Sequence, residues 1–260
     1  HHYRPLIEDP FTGEQVSSWP SKWSTEYLLS IQHTRMFRME MDNMPALGDE
    51  GMWQAEDFTY VTEPSPTTRC ALFIDPAVTA TSESDYTGFA VSSYPWPTEE
   101  QRRKGQPGQV EVLHVERQRV VGRRRRDVVM RLLNRFPQIR RICVEDNQGG
   151  ELWLEAFADL PVPVELLHSS EAKEVRAGHA LDKYQARPTQ VLHLGHEEQG
   201  RLVSNFPQAE GVMQAFPMVA HDDDVDAVTL SVLYWLSPNE VRKPGASNTG
   251  DVREESSSYA

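Results

Sequence analysis

The 260-residue chain has only two cysteines, Cys70 and Cys143, each inside an apolar run, and it has no Cys-x-x-Cys pair. A zinc ribbon is excluded, and both thiols read as small core residues of a reduced, intracellular protein. No apolar run approaches the roughly 18 residues that a spanning helix needs, so a membrane protein is excluded. The first thirty residues are polar and interrupted by prolines, which leaves no signal peptide. No Gly-x-x-x-x-Gly-Lys-[Ser/Thr] loop occurs, so no P-loop ATPase site is expected here. Neither a helix-turn-helix nor a zinc finger is visible, and no internal repeat is apparent.

What is present is charge, unevenly spread. Acidic residues number 39 against 26 basic ones, for a net charge of −13. Taken alone, that disfavours a partner rich in phosphate. Between Gln101 and Arg141, however, thirteen basic residues stand against three acidic ones, with four arginines in a row at Arg123, Arg124, Arg125 and Arg126. A chain polarised in this way can hold a polyanion on one side and metal ions on another. A solvated basic helix face is the plainer alternative.

The organisation reads in three parts. Residues 1–66 are irregular around one helical stretch near Thr25 to Met39, and residues 238–260 lack periodic apolar residues and are expected to be disordered. The middle, residues 67–237, alternates. Strands are expected at Arg69–Asp75, Tyr86–Tyr94 and Val110–Val121, joined by short polar loops as an antiparallel meander. An amphipathic helix, Arg124–Phe136, follows with Val128, Leu132, Leu133 and Phe136 inward. Then come a strand at Ile139–Glu145, a helix at Glu151–Ala158, a strand at Val162–Leu167 and a helix at Ala172–Ala186. Val191–Leu194 reads as an edge strand and Asp222–Leu236 as a last helix. The order βββαβαβα is that of the ribonuclease H-like fold: an α/β, mixed sheet of five or more strands flanked by helices.

Acids fall at the ends of these elements. Asp75 closes the first strand, Glu145 closes the fourth, and Asp222, Asp223, Asp224 and Asp226 crowd the start of the last helix. Each has an ordinary explanation as turn chemistry or helix capping. Together, on adjacent strands one and four, they would converge, repel one another and require cations. Oxygen-only ligands select Mg²⁺ or Mn²⁺ over zinc. Two such ions about 3.5–4 Å apart can clamp the attacking and leaving oxygens of a phosphodiester displacement.

The chain resembles the nuclease domain of tailed-bacteriophage large terminase subunits over about Ser18 to Leu236. HDDDVDAVTL (His221–Leu230) is similar to a His-Asp-Asp-x-x-Asp-Ala signature. FIDPA (Phe73–Ala77) with SDYTGFAV (Ser84–Val91) resembles Asp-Pro-Ala and a downstream Asp-(x)-Thr-Gly. VEDNQGG (Val144–Gly150) resembles the acid-ended fourth strand, SSEAKEVRA (Ser169–Ala177) a Lys-x-x-Arg-(Ala) stretch, and NFPQ (Asn205–Gln208) a Phe-Pro element. The resemblance implies metal-binding acids at Asp75, Glu145, Asp222 and Asp223, a catalytic role for those residues, and Lys173 beside the site. Asp85, His221 and Asp226 stand in second rank. Arg123 to Arg126 are not part of that pattern; DNA phosphate or another protein surface would suit them.

The activity so implied is a Mg- or Mn-dependent endonuclease, probing no particular sequence, that cuts concatemeric viral DNA during genome packaging in the host cytoplasm, outside the mature virion. Its cofactors would be two ions. Its partners would be double-stranded DNA, an ATPase domain of the same subunit joined through residues 1–66, the small terminase subunit and the portal. A junction resolvase or transposase nuclease of the same fold is the first alternative. A non-catalytic DNA-gripping or portal-docking module is the second.

Overall fold

A computed structural model describes residues 4–10, 12–32, 37, 51–76, 86–120, 123–146, 150–219, 221–238 and 241. The chain opens with a hairpin, β1 (Leu6–Glu8) and β2 (Gln15–Ser17), and a short helix, α1 (Thr25–Ile31), whose cap Ser24 accepts from the Tyr27 amide. There follow β3 (Tyr60–Val61), β4 (Cys70–Asp75), β5 (Thr87–Ser93), α2 (Glu99–Arg103), β6 (Val110–Gln118), α3 (Arg123–Arg135) and β7 (Arg141–Glu145). The remainder is α4 (Gly150–Phe157), β8 (Val164–Leu167), α5 (Lys173–Gln185), β9 (Val191–Glu198), β10 (Arg201–Ser204), α6 (Pro207–Ala215) and α7 (Asp223–Leu236).

The main sheet has eight strands in the order β10-β9-β6-β5-β4-β7-β8, with β3 alongside β9. Five consecutive strands, β6-β5-β4-β7-β8, are antiparallel across β4–β5–β6 and parallel across β4–β7–β8. Counted in chain order this is 3-2-1-4-5, the ribonuclease H-like arrangement. Alternation along each strand sorts side chains to the two faces. Cys70, Leu72 and Ile74 of β4, with Ile142 and Val144 of β7, pack on α3 and α4 through Val129, Leu132, Trp153 and Phe157. Ala71, Phe73 and Cys143 face the other way, onto α5, α6 and α7. Both cysteines are buried and free. Among the described residues, no helix is long and apolar enough to cross a membrane.

One expectation needs correction. Val191–Leu194 is not an edge strand: β9 runs on to Glu198 and lies inside the sheet, between β6 and β10. Its outer half turns into β10 through Gln199 and Gly200, both at positive φ (49° and 76°), the geometry of a tight hairpin. Residues ahead of the expected boundary near residue 66 also pack on this core. Met52, Trp53 and Phe58 are in the main core, and β3 pairs with β9. The indole of Trp53 meets the rings of Tyr184 and Phe216 edge-on at 6.1 and 6.4 Å, and the Met52 amide donates to the Phe216 carbonyl at 2.7 Å. The helix expected to reach Met39 is described as far as Ile31, and most of the stretch beyond it lies outside the described residues, as do residues 242–260.

Because Trp53 is 1% exposed among aromatic neighbours, Trp53→Ala should cost about 3–5 kcal/mol of unfolding free energy in urea titration. A cost below about 1 kcal/mol, the range of surface substitutions, would return this segment to a linker.

Candidate carboxylate site at the sheet edge

The register of the sheet places the site. Asp75 ends β4 on the same face as Ala71 and Phe73, since side chains alternate, and Glu145 ends β7 on the face of Cys143. Ile74 pairs with Val144, so Asp75 and Glu145 stand side by side one step further on. On its other flank Asp75 pairs with Gly88, and Gly88 with Arg117. Arg117, Gly88, Asp75 and Glu145 therefore form one row across four strands.

Gly88 is what lets the last helix reach that row. A Cβ there would lie 2.1 Å from the Asp223 carbonyl oxygen, so the first turn of α7 rests directly on the β5 backbone. Arg117 anchors the same turn, donating from Nη1 to the His221 carbonyl at 2.9 Å and lying 3.7 Å from Asp224 Oδ2. Asp222 occupies the N-cap position without a side-chain cap bond. Asp226, one turn on, is 3% exposed and turned inward toward Asp75.

Two cations of α5 enter the cluster. Arg176, 3% exposed, donates from Nη1 to Glu145 Oε1 at 2.7 Å, and its Nη2 is 3.7 Å from Asp226 Oδ1. Lys173 donates to Asp226 and, at 3.3 Å, to Asp222 Oδ1. Five carboxylates, Asp75, Glu145, Asp222, Asp223 and Asp226, thus surround two positive groups.

The titration directions follow from this surplus. Burial, then Asp226 and Glu145, hold the Asp75 carboxyl well above the ordinary carboxylate range, with Lys173 opposing. Burial raises Asp226 to about 6 against the pull of Lys173, and raises Asp224 to about 6 against Arg117. Asp223 is raised as well, chiefly by burial. Burial alone would lower Lys173, but Asp226, Asp222 and Asp75 outweigh it and hold the ammonium above its usual value.

Among the described residues, no three His, Cys, Asp or Glu side chains already stand as a metal-ligating group. Lys173 and Arg176 sit where such a group would close. The donor set nevertheless fits a hard divalent cation: all oxygen, in excess negative charge, and with Asp75 and Asp226 both disfavoured as bare anions. The site is an open edge. A surface hollow of about 560 Å³ lies elsewhere, on the β1–β2 hairpin, lined by Arg4, Leu6, Ile7, Glu8, Gly13 and Gln15.

The structure brings together Asp75, Glu145, Asp222, Asp223 and Lys173, and it puts Asp226, expected to be secondary, deeper than Asp222. Arg176 and Gly88 are the arginine and the glycine of the Lys-x-x-Arg and Thr-Gly stretches, where no role is read for them from sequence, and Arg117 counts there only among the basic residues. His221 lies at the helix start with its ring edge-on to Tyr86 at 5.0 Å. Asp85 lies outside the described residues. The arginine run is partly spoken for. Arg125 stacks on Trp153 at 4.7 Å, and Arg126 grips Asp159 with both amino groups at 2.5 and 2.9 Å. Only Arg124 is plainly exposed, and the Arg123 side chain is outside the description. Two members of the run expected to bind DNA thus tie α3 to α4 and the turn after it.

No family model and no curated protein matches the chain. Solved structures similar to it include the human cytomegalovirus terminase nuclease domain, soaked with manganese (TM-score 0.41, 12% identity, 66% of this chain and 87% of that one). Two others are the large terminase nuclease of thermophilic phage G20c (0.39, 12%, 67% and 92%) and the same nuclease with bound zinc (0.41, 14%, 70% and 95%).

A carboxyl whose pKa is raised on folding stabilises the fold below its unfolded value, near 4, and loses that contribution as pH climbs through the folded one. Metal-free Asp75→Asn protein, which carries no such penalty, should match the parent's melting temperature near pH 4 and exceed it increasingly as pH rises toward 7.5. Parallel melting curves, or a parent that melts higher at pH 7.5, would show that Asp75 is held by favourable contacts instead.

Proposed function

We propose that this chain is a divalent-cation-dependent DNA endonuclease acting at the carboxylate edge of the sheet. The observation that carries the reading is the convergence of Asp75, Glu145 and Asp226 from β4, β7 and α7, with more negative charge than Lys173 and Arg176 offset. Asp75, Glu145 and Asp226, with Asp222 or Asp223 on the open side, would hold Mg²⁺ or Mn²⁺. One or two such ions supply a lowered pKa for the attacking water and stabilisation of the departing 3′ oxygen.

The chain's own groups have separable tasks. Arg176 fixes the Glu145 carboxylate in one orientation from a buried position. Lys173 stays protonated through any working pH, so it is unsuited to act as a general base and suited to meet negative charge on a phosphate oxygen. Gly88 and Arg117 set the depth of α7. With no base-reading module, cutting is largely indifferent to sequence. The motifs around Asp75, Glu145, Lys173 and His221–Ala227 support the narrower reading, cleavage of concatemeric viral DNA during packaging, with choice of site left to partner proteins.

One observation favours a second reading, a non-catalytic DNA-gripping module: Lys173 and Arg176 already pair with Glu145 and Asp226. Supercoiled plasmid separates the two. The endonuclease reading expects nicking in Mg²⁺ or Mn²⁺, none in chelator, and a loss of at least about 100-fold in Asp75→Ala and Glu145→Gln, beyond what an outer-shell change costs. Metal-independent binding without nicking would establish the gripping module instead.

A further inference from the structure

Resting on the endonuclease reading, we propose that Arg119, stacked on the Tyr86 ring that Arg117 also approaches, is a phosphate-gripping subsite that holds the DNA strand to one side of the bond to be cut. The argument begins with register. Thr87 pairs with Gln118, so Tyr86 and Arg119 lie opposite each other one step beyond the ladder, at the sheet edge that carries the acids. The Arg119 guanidinium is 4.6 Å from the Tyr86 ring centroid and that of Arg117 is 5.2 Å from it, while His221 meets the ring edge-on. One aromatic ring therefore holds two cations and the entry to α7 in a fixed relation.

The two arginines differ in what else they touch. Arg117 is spent on the His221 carbonyl and Asp224. Arg119 is exposed, and among the described residues the Tyr86 ring is its one recorded contact. Stacking on a ring restrains a guanidinium without using its hydrogen-bond donors, which remain aimed outward in the planar fork that suits phosphate oxygens. A preordered fork loses less rotamer entropy on binding than a free surface arginine would.

Distance fits the assignment. β6, which carries Arg117 and Arg119, is two strands from β4 and Asp75. At about 4.8 Å per strand that is about 10 Å. Arg119 lies two residues further along β6 than Arg117, so a strand lying over the acids would meet it with a phosphate to one side of the bond to be cut. The position also answers a need of the acid cluster, whose charge repels the polyanion that it must admit. A cation fixed just beyond the Arg117 end of that row offsets the repulsion without neutralising the acids themselves. Of the four arginines first expected to do this, Arg123 to Arg126, Arg125 stacks on Trp153 of α4 and Arg126 pairs with Asp159 just beyond it.

The test is duplex binding in Ca²⁺, read by fluorescence anisotropy over a salt series, beside plasmid nicking in Mn²⁺. Arg119→Ala should weaken binding about five-fold near roughly 0.15 M salt and lower the log–log salt slope by about one, the signature of one lost phosphate contact. In nicking it should raise KM with kcat little changed. Tyr86→Phe keeps the ring and should bind as the parent does, whereas Tyr86→Ala should reproduce part of the Arg119→Ala loss. Arg102→Ala, on exposed α2 at the opposite edge, removes the same charge and should leave the slope alone. An Arg119→Ala protein with parental affinity and slope, in a parent that nicks, would overturn the subsite and leave the endonuclease standing. Loss of slope in a parent that never nicks would do the reverse, and a parent that binds no duplex would overturn both.

Discussion

Carboxylates crowded at one edge of a sheet repel each other, and the arrangement of this chain is organised around that repulsion. Nothing local requires Asp75, Glu145 and Asp226 to meet; three separate elements deliver them to one place, where burial and mutual repulsion make Asp75 and Asp226 reluctant anions. Such a cluster would weaken the fold if left alone. It is offset in two ways. Lys173 and Arg176 enter from α5. In addition α3, α4 and α5 follow β6, β7 and β8, which run parallel, so their amino ends lie along the acid edge together with that of α7, and each brings about half a positive charge.

Precision comes from backbone, not side chains. Strand register is fixed in steps of one residue, and a slip by one would send every side chain to the wrong face. The apolar residues of β4 and β7 are buried on both faces, so that slip is prohibitive, and the acids inherit the register of the core. The helix needs a separate device, because helix–sheet packing tolerates sliding. Gly88 supplies it: with no Cβ, β5 admits the Asp223 carbonyl to a depth that any other residue would block. That depth decides which aspartate of the cluster turns inward.

This explains which parts of the site could be read from the sequence. Asp75 and Glu145 were legible because an acid ending an apolar strand is conspicuous, and the parallel pairing of β4 with β7 follows from the order of elements. The start of α7 was legible from its run of aspartates. The inward phase of the helix was not: it depends on contact with Gly88, which lies more than 130 positions away along the chain. Arg176 sits in an ordinary amphipathic pattern, so its burial against Glu145 leaves no local trace. Short strands such as β3 and β10 carry too few residues for periodicity. The aromatics Trp53 and Phe58 flank a single short turn, Ala55–Asp57, too brief for periodicity to reveal that they enter the core. The arginine run looked like one feature, yet Trp153 and Asp159 divide it.

The two cations in the acid cluster are not equivalent, and the difference bears on how the site could work. Arg176 is sealed in, with its guanidinium bonded to Glu145, and moving it would strand a buried carboxylate. Lys173 is half-exposed, on a flexible stem, and reaches Asp226 and Asp222 from the solvent side. An ammonium can swing away into water at little cost, whereas a planar fork in a buried pair cannot. Arg176 is therefore a fixed part of the frame. Lys173 is the counter-charge that the proposed endonuclease could exchange: were a divalent cation to take over its carboxylates, the ammonium would be freed on the solvent side of the site, where phosphate would arrive.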